Sequence, residues 1–338
     1  MSAIESAAGA PKARRSLLLA YLALAGAALF WGGNWPLARW IQSEIPPLTL
    51  GLLRWGAAAL FLLPIALPRL LRAWPTVRRE WRRLTILGVV GVTGFSAMSY
   101  TGLAYTTAIN GSLLNAAAPV FLVLFGALGF GERIGWAQVS GVVLSIAGVL
   151  AIVTRGAPET LASFAFNVGD LWVMGAVLVW TIYTVLLKRW PTALPPLVFL
   201  LATILFSLPL PLVLSAGELA WGTRLPVVST LTIATVIYLG LFPSIGAYVF
   251  WAYGVGRIGP TRAMLFQYLI PVFATGLAIL LLGESLRLFH VAGAVLIVGG
   301  LVLASRPARR ASAEKGQSEH ERERGGDQGH RDQRQHAQ

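Results

Sequence analysis

Apolar stretches of about 20 residues recur along nearly the whole chain, and that recurrence leaves few folds open. A helix of about 20 apolar residues is what crosses a bilayer core roughly 30 Å thick. With 56% hydrophobic and only 12% charged residues among 338, there is no room for a large soluble domain beside such helices. The expected fold class is an all-α polytopic membrane protein. Ten transmembrane helices are placed at residues 17–40, 47–67, 84–105, 108–130, 134–154, 168–187, 194–215, 229–255, 260–282 and 286–304. The breaks between them follow turn chemistry, at Pro46-Pro47, Pro68, Gly131-Glu132, Gly156 with Pro158, Pro191, Gly217 through Gly222, Gly259-Pro260 and Gly283-Glu284.

The chain's charge lies outside these stretches. Residues 1–16 form a polar N-terminal leader with Lys12, Arg14 and Arg15, and Ala23-Leu24-Ala25 has the form of a signal-peptide cleavage site. The apolar run continues past that point to Trp31, and its end returns later in the chain, so it belongs to the fold. The tail at 305–338 has almost no apolar residues and is expected to be disordered. With the N-terminus in the cytoplasm, the inner segments collect Arg69, Arg72, Arg78, Arg79, Arg82, Arg83, Arg133, Lys188, Arg189, Arg257 and Arg262, while the outer ones hold only Arg39, Arg155, Arg224 and Arg287. Both termini are therefore expected in the cytoplasm, with the body in a bacterial inner (plasma) membrane. The formal charge of +13 reads as this orientation signal, and no nucleic-acid partner is expected. Zero cysteines exclude disulfides, thiolate catalysis and thiolate metal sites.

The chain also repeats itself. Trp31 and Trp180 lie 149 positions apart, and the same offset brings Arg39 to Lys188 and Pro46-Pro47 to Pro195-Pro196. Farther along, an offset of 152 pairs Pro119 with Pro271, Gly131-Glu132 with Gly283-Glu284, Gly141 with Gly293 and Gly148 with Gly300. A three-residue difference in loop length reconciles the two offsets. Each half carries five helices, an odd number, so the second half enters the membrane upside down. The ten transmembrane helices then form two inverted five-helix repeats, 17–154 and 168–304, joined by an external linker at 155–167. That is the plan of secondary transporters, whose site lies near the midplane between the halves.

Trp-Gly-Gly-Asn-Trp-Pro at 31–36, Leu-Leu-Arg-Trp at 52–55 and Ala-Pro-Val-Phe at 118–121, followed by Gly-Glu, carry a resemblance. Over about residues 17–304 the chain resembles the EamA-type members of the drug/metabolite transporter superfamily. The resemblance implies an inner-membrane carrier, often an exporter of amino acids or related metabolites. It also implies a central cavity lined by the first, third, fourth, sixth, eighth and ninth spans, and it selects no substrate.

Candidate substrate-binding residues follow from polar and aromatic groups at membrane depth. In the first span Trp31, Asn34, Trp35 and Ala38 share a face, and Pro36 leaves the Gly32 carbonyl without its helical donor. Indole faces there can receive apolar or cationic groups while Asn34 fixes orientation. Alternatively, Trp35 and Trp40 belong to an interfacial aromatic belt and the glycines serve packing. The equivalents in the second half are Trp180, Tyr183 and Thr184. Pro119 frees the carbonyl of Asn115 and Pro271 that of Gln267, so each half sets a side-chain amide on an unpaired carbonyl, facing either a cavity or a neighbouring helix. Ser96 aligns with Tyr248, with Tyr100 one turn on and Trp251 and Tyr253 following.

Arg54 stands about two turns inside the second span, where a charge costs about 2.5–3.5 kcal/mol on insertion scales. It either recognises a substrate carboxylate or forms an ion pair, or it snorkels to the surface or bonds helix ends, and the structural reading is the one favoured here. Acidic groups are nearly absent from helix centres: Asp170 and His290 fall at outer helix starts, where they make a poor proton relay, so facilitated or exchange transport is expected. Asn110 reads as a helix cap, and Glu132 and Glu284 read as structural, each near the positive end of the helix that follows it.

Gly141 with Gly148 and Gly293 with Gly300 permit close helix packing, within one chain or between two copies in a homodimer. No His-Glu-x-x-His, Asp-rich cluster or close His/Asp pair in the apolar spans supports a membrane-embedded enzyme, and no charge ring or filter-like carbonyl run supports a channel. The expectation is a secondary transporter without cofactor or metal, with a small-molecule substrate and membrane lipid as its partners.

Overall fold

The structure, a computed structural model, describes residues 2–122, 135–157, 167–221, 224–259, 263 and 265–304. The expected turns at Gly131-Glu132, Pro158, Gly222 and Pro260, the last turns of the fourth span, and the tail at 305–338 lie outside the described residues.

The described residues are helical and contain no strand. They form α1 (Ser2–Ile41), α2 (Pro47–Arg72), α3 (Trp74–Leu87), α4 (Phe95–Tyr105), α5 (Ala108–Asn115), α6 (Trp136–Val153), α7 (Val168–Arg189), α8 (Pro196–Ser207), α9 (Pro209–Ala220), α10 (Thr230–Leu241), α11 (Ala247–Ile258), α12 (Leu269–Leu282) and α13 (Leu288–Ala304). Seven helices are long and apolar enough to cross a membrane, and an eighth is if the bent α8–α9 pair counts as one. Shorter apolar helices occupy Ala108–Leu122 and Leu288–Leu303.

Prolines and glycines decide where these helices start and break. Pro46 (φ −58°, ψ 148°) and Pro195 (φ −57°, ψ 145°) are extended, and each places a second proline at the first helical position, where its missing N–H costs nothing. Pro209 bends α8 against α9 by 44°. Ahead of Pro119 the chain leaves α5 and turns through Ala116-Ala117 before resuming, and ahead of Pro271 it runs as a 3₁₀ turn, Leu265–Tyr268. Two π segments, Gly88–Gly94 and Phe242–Gly246, join α3 to α4 and α10 to α11, so each pair makes one long span. The third span therefore begins at Trp74 instead of residue 84. Val77, Leu84 and Leu87 give its first turns a buried stripe, and Arg78, Arg79, Arg82 and Arg83 project outward.

Glycine allows the closest approaches. A Cβ at Gly148 would lie 2.7 Å from the Gly293 carbonyl, and one at Gly300 would collide with the Gly141 carbonyl, so α6 and α13 meet backbone to backbone. The glycine stripes thus pack against each other within one chain. Likewise α4 meets α7 through Gly102 and Gly169, and Gly32 of α1 lies against Ile270 and Phe273.

The largest apolar cluster, including Trp35, Ile41, Leu103, Ile109, Val173 and Ala278, lies towards the end of the bundle that carries the 41–46, 105–107 and 282–288 connections. A second cluster, including Trp55, Leu62, Leu84, Val198 and Leu201, ties α2 and α3 to α8. The larger share of the apolar packing therefore lies at the 41–46 end.

Candidate functional site

Arg54 projects from α2 into the bundle and is 5% exposed. Its Nε donates to Ser244 Oγ at 2.7 Å, and a terminal nitrogen donates to Tyr100 Oη at 2.8 Å. The Tyr100 hydroxyl donates in turn to Asn34 Oδ1 at 2.9 Å, and the Ser244 hydroxyl to the Leu239 carbonyl at 2.8 Å. The guanidinium stacks on Trp55, 4.7 Å from the ring centre, and Trp55 donates to Ser96 Oγ at 2.7 Å. Four spans thus converge on one cation. Its contacts are neutral hydroxyls, and among the described residues no carboxylate pairs with it. Of the favoured structural reading of Arg54, the surface snorkel is corrected: hydroxyls on α4 and on the π segment before α11 hold the side chain inward.

Aromatic rings adjoin this cluster. Trp31 donates to the Pro243 carbonyl at 3.1 Å and packs against Tyr248 and Trp251, with both ring separations 5.7 Å. On the other side Trp180 packs between Phe95 and Tyr183, each at 5.2 Å. Tyr183 lies across Gly91, within electrostatic reach of Tyr248, and Tyr248 lies within reach of Arg54. Trp31, Trp180, Tyr183, Tyr248 and Trp251 are half-buried, each well inside its span. This is an amphipathic surface, with one cation, several hydroxyls and an aromatic wall.

The structure thereby brings together Trp31, Asn34, Arg54, Ser96, Tyr100, Tyr248 and Trp251, and sets Trp180 and Tyr183 beside them. Trp35 sits apart, 3% exposed in the apolar core against Gly111, not in an interfacial belt. Among the described residues, no hydrogen bond or ring contact links the half-buried Asn115 and Gln267 to the cluster. Pro36 lies inside an unbroken α1. Arg39 donates to the Leu103 and Ala104 carbonyls and so anchors the end of α4. Tyr253, which follows Trp251 on α11, stays outside the cluster, and its ring receives the Arg257 guanidinium at 5.0 Å.

A second polar cluster, to which no local motif points, lies at the 41–46 end. Asp170, fully buried in the first turn of α7, accepts hydrogen bonds from the Thr106 hydroxyl and from Asn110 Nδ2, the latter at 3.2 and 3.3 Å. Asn110 Oδ1 lies 2.9 Å from His290 Nε2, and His290 Nδ1 accepts from the Arg287 amide at 2.9 Å. Asn110 is therefore no cap; Thr107 caps α5. The His/Asp pairing absent from any local stretch is made across α5, α7 and α13. Glu284 also acts at a distance: its carboxylate accepts from the Ala108 and Ile109 amides at 2.8 and 3.0 Å, so it caps α5 and not the helix that follows it. Beside these groups a cavity of about 840 Å³ opens among Arg39, Gln42, Ala104, Thr107, Arg224 and Glu284.

Comparison with known proteins places this architecture. The model of the EamA-like transporter family matches residues 18–154 and again 167–306. An uncharacterized transporter of Bacillus subtilis, YyaM, is 28% identical over 84% of this chain and 93% of its own length. A probable terminal-alkyne amino-acid exporter of Streptantibioticus cattleyicolor is 33% identical over 78% and 89%, and a probable amino-acid metabolite efflux pump of Salmonella typhimurium is 27% identical over 81% and 90%. A crystal structure with 22% sequence identity shares the fold, at a TM-score of 0.57 over 88% of this chain and 99% of that one. The chain belongs to the EamA-like transporter family and is a multi-pass transmembrane transporter.

Proposed function

We propose that the protein exports a small amphipathic metabolite bearing a carboxylate, an amino acid or a related compound, across a bacterial inner membrane by alternating access. The observation that carries this reading is the buried guanidinium of Arg54, which is held by neutral hydroxyls beside half-buried aromatic rings. A cation at that depth is expensive without an anion, and a substrate carboxylate supplies one. Trp31, Tyr248 and Trp251 then receive the apolar part of the substrate. The names of the relatives, an amino-acid exporter and an amino-acid metabolite efflux pump, support the substrate class and the direction.

In this reading ten spans form two inverted five-span repeats, with both termini cytoplasmic and the 41–46 end facing outward. Support comes from paired local devices. The two π segments end at Gly94 and Gly246, 152 positions apart, and the two Pro-Pro helix starts lie 149 apart. Rocking of one repeat against the other would part the apolar packing at the 41–46 end and expose Arg54 on that side.

Counterflow in reconstituted vesicles tests the proposal. Labelled amphipathic carboxylates should exchange, while the matching amines and neutral sugars should not. Exchange of the amines alone would overturn the role of Arg54, and exchange of none would overturn the carrier reading.

A further inference from the structure

Asp170 is the one aspartate and His290 the one histidine in residues 1–304; the others lie in the tail at 305–338. The fold joins them through Asn110. The direction of every hydrogen bond in this chain is fixed from one end. The Arg287 N–H donates to His290 Nδ1, so Nε2 carries the imidazole proton and donates to Asn110 Oδ1. Asn110 then presents its NH₂ to Asp170, and the Thr106 hydroxyl presents its proton to the same carboxylate. Both groups facing Asp170 are donors, an arrangement matched to an ionised carboxylate, which only accepts.

A proton added to Asp170 places a third donor among donors. The Thr106 hydroxyl can rotate to accept, but the Asn110 amide cannot accept with its NH₂ without turning its oxygen away from His290. One proton therefore turns charge-assisted hydrogen bonds into neutral ones about half as strong, and so weakens a chain that ties the α4–α5 junction to α7 and α13, all at the 41–46 end. Ala104 and Thr107, on either side of Thr106, line the 840 Å³ cavity, so the cavity comes within one residue of the cluster. Of the other charged groups facing it, Arg155 is within electrostatic range but makes no ion pair among the described residues, Arg287 acts through its backbone amide, and the Glu284 carboxylate is engaged by Ala108 and Ile109.

We propose that Asp170 is a proton-binding site that couples transport to protons: with Asp170 ionised the Thr106–Asp170–Asn110–His290 chain latches the 41–46 end shut, and a proton entering from the cavity at that end releases it. The step is a simple transfer, from hydronium at the cavity to a carboxylate oxygen, reversed when the end closes. This rests on the alternating-access reading for its role in transport, but the latch itself is measured without substrate.

The chain contains no cysteine, so Val168→Cys and Leu288→Cys, both at exposed positions, give a clean spin-label pair across the latch. In vesicles, acidification should lengthen the distance between labels in the otherwise unaltered chain. Asp170→Asn, whose amide adds donors permanently, should show the longer distance at acid and alkaline pH alike. His290→Gln, which keeps a donor towards Asn110, should keep the pH response. A pH response that persists in Asp170→Asn, or that vanishes in His290→Gln, would overturn the assignment. If Asp170→Asn does not insert, infrared difference spectra of the unaltered chain with isotope-labelled aspartate decide: a protonated-carboxyl band of a non-aqueous aspartate should grow on acidification, and its absence overturns the site. Failure of counterflow with an intact pH-dependent distance would count against the carrier reading and leave the latch standing.

Discussion

Arg54 and Asp170 are opposite charges in a similar situation, each nearly or fully buried among packed spans and neither in contact with a counter-ion among the described residues. Their surroundings differ in one respect. The groups around Arg54 are hydroxyls with other partners of their own, and half-buried aromatic rings lie beside them. The groups around Asp170 are tied to one another in a chain that joins the α4–α5 junction, α5, α7 and α13. A charge whose neighbours can let go is suited to meet a ligand, whereas a charge enclosed by interlocked donors is suited to hold helices together until its own protonation changes.

Arg54→Ala should break the comparison most visibly. Removing one member of a buried, hydrogen-bonded charge pair costs about 2–5 kcal/mol, so counterflow of a carboxylate substrate should fall by on the order of a hundredfold or more. Folding should survive, because Tyr100 keeps Asn34 and Ser244 keeps the Leu239 carbonyl. Vesicle flux per inserted molecule, measured with thermal stability in detergent, separates the two. Lost stability with unchanged flux would make Arg54 a brace and erase the distinction from Asp170.

Gly300→Leu sharpens the comparison from the other side. A Cβ there would already collide with Ser145 Oγ, so α13 must shift or the site must strain, at about 1–3 kcal/mol. His290 rides on α13, so the Asp170 chain should loosen while substrate affinity at Arg54 stays unchanged. Thermal melting and the label distance across the latch report the first effect, and equilibrium substrate binding reports the second.

These two sites are legible in the sequence to different degrees, for a physical reason. Arg54, Trp31 and Asn34 announce themselves because a charge, an indole or an amide is costly within an apolar run, and the cost is visible locally. The helix breaks are likewise local, since Pro119, Pro209 and Pro271 remove a donor wherever they stand. The Asp170 cluster is assembled from Thr106, Asn110, Asp170 and His290, each at a helix end where a polar residue is ordinary, and nothing in the order of the chain says which ends will meet. The one available signal is that the apolar body holds a single aspartate and a single histidine. The third span starts earlier than its apolar residues suggest because the arginines of α3 hide a buried stripe that a count of apolar residues does not see. Glu284 caps a helix other than the next in sequence, one whose start lies 176 positions away and leaves no mark beside Glu284.

Glu284 also offers the smallest and most selective perturbation. Its two carboxylate oxygens accept from the first two amides of α5, which carries Asn110 close behind them. Glu284→Gln keeps the shape and one acceptor but removes the charge and the second acceptor, a loss of about 0.5–1 kcal/mol at a helix start. The start of α5 should fray slightly, and Asn110 with it, so the latch should open at a less acidic pH while substrate affinity is unchanged. Tyr100 and Asn34 belong to α4 and α1, and neither depends on that cap. A titration of the label distance, run beside substrate binding on the same vesicles, reads both quantities. A fall in affinity equal to the change in opening would mean that the two clusters are one cooperative unit, and that the separation between a binding charge and a latching charge does not hold.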